Sequence, residues 1–165
     1  MTVRMELSRI LIRELTDYQV IELREVSTNG SAEDGPRTFP IVIGLPEAQA
    51  IERRLSGVPV KRPQTHDLLA HILESLGATL ESVAITDLAD QTFFAVLNIR
   101  DARGEMVEVD ARPSDAIALG IGLSAPIFVA EHVLAQATSS NPLEDQFDED
   151  EDEGDEFEPG EEPTF

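Results

Sequence analysis

The 165-residue chain contains no cysteine and no tryptophan, and its apolar runs are all far shorter than the ~20 residues that span a membrane. The lack of cysteine excludes disulfides, zinc–thiolate sites and thiol catalysis, and it fits a reducing compartment. The N-terminal residues lack the apolar region of a signal peptide. We therefore expect a soluble, cytoplasmic protein with no membrane partner.

Signatures of nucleotide-binding and hydrolytic enzymes are also scarce. The sequence has no phosphate-binding glycine loop and no serine nucleophile elbow. With a single tyrosine and no tryptophan, it offers few aromatic side chains on which bases could stack. The main candidates for chemistry are therefore carboxylates, a histidine and arginines.

Charge is distributed unevenly along the chain. The net charge is −21, and residues 141–165 contribute −13 of it without a single basic residue. Because such a segment repels itself and cannot bury enough surface to fold, we predict one folded domain over residues 1–138 and a disordered acidic tail over residues 139–165. Four basic residues cluster at Arg53, Arg54, Lys61 and Arg62. We predict that the tail competes with nucleic acid for this basic cluster, and the alternative is a solubilising tail that touches nothing.

Hydrophobic periodicity predicts an α+β fold, a compact single domain with a mostly antiparallel sheet and three to four helices packed on it. Strands are predicted over 3–13 (with a bulge), 18–26, 39–43, up to Asp87, 93–99, 107–111 and 126–129. Helices are predicted from Pro46 with a buried stripe of Ala48, Ile51 and Leu55, from Thr65 to Leu76, over 114–121 and over 131–137. Pro40 predicts that its strand lies at a sheet edge or begins at that residue, whereas the strand 93–99 is apolar on both faces and is predicted to be covered on both sides.

Two short segments, Arg62–Leu69 and Arg112–Leu119, have similar sequences. Each runs from Arg-Pro through small polar residues to Asp and then into an apolar helical stretch, which is typical of a helix N-terminus. A cation beside the positive end of a helix is unfavourable unless an anion lies between them. We therefore interpret the pair as a phosphate cradle, with two ordinary helix starts as the alternative.

The candidate catalytic residues are His66, Asp67, Asp110 and Asp115. Histidine is the residue type most often used as a general base, which makes His66 a candidate for that role, and a strand that ends near Asp110 can bring Asp110 close to Asp115. Arg62, Arg112 and Ser114 are the candidate phosphate-binding residues. Asp110, Asp115 and Glu47 are candidate ligands for Mg²⁺ or Mn²⁺, because these hard cations prefer oxygen donors. Helix-capping and surface roles are the alternatives for these acids and for His66.

The segments Phe39–Gly44, Arg62–Leu69, Val109–Leu119 and Ala125–Val129, taken in order, resemble the bifunctional nuclease domain family. The resemblance runs from about Met5 to Ala135. It implies a compact α+β domain in a bacterial-type cytoplasmic protein, with nuclease activity on DNA and RNA. It carries no firmly assigned catalytic set, so only motif positions transfer.

We predict a metal-assisted nuclease that hydrolyses phosphodiester bonds of DNA or RNA with low sequence specificity. Nucleic acid is then the partner, and a homodimer is left open. The alternative is a non-enzymatic regulatory or interaction domain that binds a phosphate-bearing ligand or a protein. The acidic net charge favours this alternative, because it repels polyanions.

Overall fold

The computed structural model describes residues 1–13, 15–26 and 35–139. Its strands are β1 (Thr2–Leu11), β2 (Gln19–Glu25), β3 (Thr38–Ile43), β4 (Thr79–Ala89), β5 (Thr92–Arg100), β6 (Met106–Ala111) and β7 (Ile127–Ala130). Its helices are α1 (Leu45–Ser56), α2 (Thr65–Ser75), α3 (Pro113–Gly122) and α4 (Glu131–Ser139). The predicted acidic tail lies outside the described residues, so the division into a domain and a tail stays a prediction.

The seven described strands form one mixed sheet in the order β3-β2-β1-β7-β4-β5-β6. All neighbours are antiparallel except β4 and β7, which run parallel. The predicted α+β fold with a mostly antiparallel sheet is confirmed. Among the described residues, no helix is both long and apolar enough to cross a bilayer.

Two local predictions for the strands are confirmed and one is wrong. β1 has a register shift between Leu7 and Arg9, and β3, with Pro40, lies at a sheet edge. β5, in contrast, is not covered on both sides. Its core face holds the buried Ala95 and Ile99, whereas Phe94 on the other face is 44% exposed. The apolar residues on that outer face indicated burial, but the helices pack against a single hydrophobic core on the other face.

The helix α3 lies at the centre of the helical layer. It contacts α1, α2, β4 and β5, and its residues Ala116 to Gly120 are almost completely buried. Gly120 is needed here because a Cβ atom would lie 2.9 Å from a methyl group of Val83. This close packing holds α3 against β4, and the N-terminus of the helix follows directly from β6.

The sheet also curves, so that strands far apart in the sheet order approach each other. Phe39 of β3 stacks on Phe93 of β5, with ring centroids 5.5 Å apart. Aromatic pairs at this separation add to stability beyond the area they bury. The curvature forms a cleft between β3, the start of β5 and the N-terminus of α3.

Candidate functional site

The first turns of three helices meet at one rim of the domain. Arg112 donates to Glu47 Oε1 in α1 at 3.0 Å and to Asp115 Oδ2 in α3 at 2.8 Å. His66 Nε2 in α2 lies 3.0 Å from Asp115 Oδ1. Four side chains from three helices thus form one continuous chain of polar contacts, His66–Asp115–Arg112–Glu47, which we call the rim network.

The start of α3 explains how Arg112 and Asp115 are positioned. Arg112 is the N-cap residue with extended backbone angles, and Pro113 occupies the first helical position, where its missing N–H has no cost. Asp115 then lies in the first turn, where the helix dipole favours a carboxylate. The hydrogen bond to Asp115, and then the contact with Glu47, raise the pKa of the Arg112 guanidinium above its ordinary value.

Glu47 depends on a glycine for its position. It lies in the first turn of α1, and its carboxylate folds back over Gly44, the N-cap residue of that helix. A Cβ atom at Gly44 would collide with Glu47 Oε2. Any side chain at position 44 would therefore displace the carboxylate that holds Arg112.

His66 is the buried member of the rim network, since only 9% of the residue is exposed. The carboxylate of Asp115 accepts a hydrogen bond from Nε2, which favours the tautomer with its proton on Nε2. The Nδ1 atom then carries a lone pair that no side chain or backbone group in the described part of the chain takes up. The contact with Asp115 thus fixes the orientation of the imidazole.

A second set of contacts holds the start of α2 itself. Asp67 accepts a hydrogen bond from the backbone N–H of the N-cap residue Gln64 and a second from Arg54 in α1, each at 2.9 Å. The Arg54 side chain is only 8% exposed, and its Nε atom has no hydrogen-bond partner among the described residues. Burial lowers the pKa of Arg54 below its ordinary value, and the attraction of Asp67 opposes that shift. Asp67 thus caps α2 and fixes its first turn beside His66.

One cleft adjoins the rim network, and a second adjoins the contact between Arg54 and Asp67. The larger, of about 860 Å³, is lined by Glu47, Arg112 and Ser114 on one side and by Tyr18 and Phe93 on another. The smaller, of about 510 Å³, lies between α2 and the C-terminal ends of α1 and α3, and Arg54 and Asp67 line it. The two helix starts therefore touch through His66 and Asp115, but the Asp67 side chain and the Arg112 side chain line different clefts.

The structure brings together four of the residues singled out from the sequence, namely Glu47, His66, Arg112 and Asp115. Ser114 lies beside them, buried in the first turn of α3. The other three lie apart from the rim network: Asp67 caps α2, Arg62 is exposed in the segment before α2, and Asp110 is exposed on β6 opposite Val96. Strand alternation accounts for Asp110, because it puts that side chain on the face opposite to Ala111 and the helices.

The three predicted metal ligands do not come together. Arg112 already occupies oxygens of both Glu47 and Asp115, and Asp110 is on the outer face of the sheet. Across the described residues, no cluster of three or more His, Asp or Glu side chains is placed to hold a metal ion. The binding of Mg²⁺ or Mn²⁺ stays a prediction.

Sequence reasoning missed the role of Arg54, which was assigned to an exposed basic cluster. The predicted stripe of α1 ended at Leu55, but Leu55 is 52% exposed and Arg54 is buried. Helical spacing could have indicated this, because position 54 follows Ala50 and Ile51 by four and three residues. The buried guanidinium of Arg54 fits because residue 122 is glycine, since a Cβ atom there would collide with it.

Comparison with known proteins places the chain in a family. Residues 31–142 match the bifunctional nuclease domain, and the chain belongs to that family. It is also 41% identical over 128 residues to the uncharacterized protein Rv1829 of Mycobacterium tuberculosis strain H37Rv, and to its counterpart MT1877 in strain CDC 1551. Each match covers 78% of this chain and 71% of the relative. The predicted family is confirmed.

Proposed function

We propose that the protein is a nuclease that hydrolyses phosphodiester bonds of DNA or RNA at the rim network. The observation that carries the proposal is the pair formed by His66 and Asp115, which is joined to Arg112 at the meeting point of three helix N-termini. Family membership supports the same reaction class. Helix N-termini and guanidinium groups both favour a phosphate at this position.

Each member of the rim network has a role in this reaction. His66 Nδ1 accepts a proton from the attacking water, while Asp115 holds the imidazole and stabilises its protonated form. Water attacks phosphorus, the bond to the leaving nucleoside oxygen breaks, and that oxygen takes up a proton from solvent water. Arg112 and the N–H groups of the α3 first turn offset the negative charge that develops on the phosphate oxygens. Because these groups contact phosphate and not base edges, sequence specificity is low.

The proposal extends to assistance of the cleavage reaction by a divalent metal ion. The carboxylates of Glu47 and Asp115 already pair with Arg112, so a divalent cation has no ready-made set of ligands there. We therefore assign no step to a metal. Mg²⁺ or Mn²⁺ dependence is decided by the activity assay described below.

One observation favours the alternative of a binding domain without catalysis. Arg112 is engaged by two carboxylates, which leaves it less positive toward a phosphate than a free guanidinium. Residues 1–140 also carry a net charge of −8, which disfavours the binding of a polyanion such as nucleic acid. A binding domain would use the same larger cleft for a phosphate-bearing ligand or a protein partner.

The test is cleavage of labelled single-stranded DNA and RNA by the full-length protein with Mg²⁺, with Mn²⁺ or with a chelator. His66→Ala and Asp115→Asn are expected to lower the single-turnover rate ~10²-fold or more, the scale of losing a general base. Asp110→Asn tests whether that residue contributes at all.

The surface pair formed by His132 and Asp87, 3.6 Å apart, provides a matched control. His132→Ala and Asp87→Asn should leave the rate unchanged. Equal rates for His66→Ala and wild type would show that the activity belongs to another site or to a contaminant. Absence of cleavage, together with a higher melting temperature in the presence of nucleotides, would favour the binding domain.

A further inference from the structure

The last strand of the sheet, β6, leaves one edge open. No strand lies beyond it in the described part of the chain, and its residues from Met106 to Asp110 are all exposed. An open edge presents unpaired N–H and C=O groups that can pair with another chain. The opposite edge strand, β3, carries Pro40, which cannot donate a hydrogen bond, whereas β6 has no proline.

Helix α2 runs alongside β6. At one end His66 contacts Asp115, which follows β6, and at the other end Gly77 lies next to Ala102 in the turn before β6. Because both ends of the helix are held near the two ends of the strand, the helix is antiparallel to it and spans its length.

The flank of α2 on the β6 side is apolar, and no other described part of the chain covers it. Asp67 lies on the flank of α2 that faces α1, because it contacts Arg54 of that helix. Four large apolar residues occupy the other flank of the helix and are 40% to 68% exposed: Leu68, Leu69, Ile72 and Leu76. Val107 and Val109, on the helix side of β6, are 43% and 41% exposed. These six residues and the free edge of β6 form the β6–α2 surface, which is larger than the scattered apolar residues that are normal on a protein.

The charges of β6 restrict what can bind there. Glu108 and Asp110 lie on the outer face of the strand, opposite to the face of Val107 and Val109. In a strand added to β6, the residues beside the valines are apolar and contact α2, while those beside the two acids lie on the outer face. The two acids therefore favour lysine or arginine at alternate positions.

A second copy of this chain does not meet that requirement. When the same strand pairs with itself in antiparallel fashion, side chains on one face of the sheet face each other. β6 carries no lysine or arginine that could pair with Glu108 and Asp110, and the registers that place Glu108 opposite Glu108 or Asp110 of the other copy bring like charges together, which is destabilising. Residues 141–165 are also excluded as occupants, because they carry 13 acidic residues and no basic one.

We propose that the β6–α2 surface binds an extended segment of another protein in which apolar residues alternate with lysine or arginine. The segment adds an eighth strand beside β6 by backbone hydrogen bonds, and alternate side chains supply specificity. Its apolar residues cover the flank of α2, and its basic residues pair with Glu108 and Asp110. This binding does not depend on the nuclease activity.

The experiment uses the full-length protein and the peptide Lys-Val-Arg-Val-Lys-Val-Arg, with titration calorimetry at 150 mM salt and amide NMR. A block peptide of the same composition, Lys-Arg-Lys-Arg-Val-Val-Val, controls for net charge. The alternating peptide is expected to bind at least tenfold more tightly, with the largest amide shifts in β6 and α2.

Two variants test the contacts. Leu68→Ser should weaken binding about tenfold, whereas Leu55→Ser, a leucine on α1 that is also 52% exposed, should not change it. Glu108→Lys should weaken binding of the basic peptide and create binding of a peptide with glutamate in place of lysine and arginine.

Three results would overturn the proposal. The first is equal affinity for the alternating and block peptides, which would show attraction by net charge alone. The second is equal loss in the Leu68 and Leu55 variants. The third is a dimer of the free protein, seen by sedimentation, that Leu68→Ser dissociates, because a second copy would then occupy the surface.

Discussion

The contact between Arg54 and Asp67 holds the first turn of α2, and its removal should be costly. Arg54→Met leaves the apolar part of the side chain in place but deletes the charge, so Asp67 loses its partner. Breaking a buried ion pair costs about 3–5 kcal/mol. Asp67 is 23% exposed and keeps its hydrogen bond to Gln64, so we expect about 2–3 kcal/mol. For a domain of this size that corresponds to a fall in melting temperature of about 10 °C.

The assay is urea and thermal unfolding of the full-length protein, with Arg53→Met as the matched control. Arg53 adjoins Arg54, and its positive charge disfavours the charged form of Arg54, so its removal should be neutral or slightly stabilising. Adding Asp67→Asn to Arg54→Met should recover part of the loss, because the unpaired carboxylate is gone. A loss for Arg54→Met within about 0.5 kcal/mol of the Arg53→Met value would refute the reasoning, since surface substitutions fall in that range.

Three further predictions concern Gly122, Arg37 and the acidic tail. Gly122→Ala should destabilise by about 1–3 kcal/mol, because the added Cβ displaces the Arg54 guanidinium, and a double-mutant cycle with Arg54→Met should show strong non-additivity. Arg37 lowers the pKa of Glu25 mainly by a hydrogen bond, so its contribution, about 1 kcal/mol, is fully present at neutral pH and is lost as the pH falls through the lowered pKa of Glu25; urea unfolding of Arg37→Met should show a difference from wild type at pH 7 that shrinks as the pH is lowered into the acid range. Truncation after Ser139 should tighten nucleic-acid binding at low salt, with a gain that shrinks as salt rises; an unchanged affinity would contradict competition by the acidic tail.

The fold could be predicted from the sequence where local patterns decide it. The strand alternation and the two helix starts at Thr65 and Pro113 follow from residue spacing and capping, and the structure has both helices within a residue of the predicted start. Which face of a strand is covered depends on tertiary packing, which local patterns do not encode. This is why β5 was expected to be buried on both faces, although its outer face is partly exposed.

The candidate site was predictable in part for the same reason. First-turn positions placed His66 and Asp115 at helix N-termini, and packing of α2 against α3 brings them together. The two Arg-Pro segments are similar in sequence, but they do not occupy equivalent positions in their helices. Arg112 is the N-cap residue of α3, whereas Arg62 lies two residues before the N-cap residue of α2. The two arginines therefore differ in position relative to their helices, and only Arg112 joins the rim network.

The most direct test of the central claim is to locate a substrate phosphate. Crystals of the full-length protein would be soaked with Mn²⁺ and a dinucleotide whose linkage resists hydrolysis, and the anomalous signal of manganese would locate any bound metal. The account predicts a phosphate within hydrogen-bond distance of Arg112 and near Nδ1 of His66. A phosphate bound only at the surface of Arg53, Lys61 and Arg62, with the rim network unchanged, would contradict it.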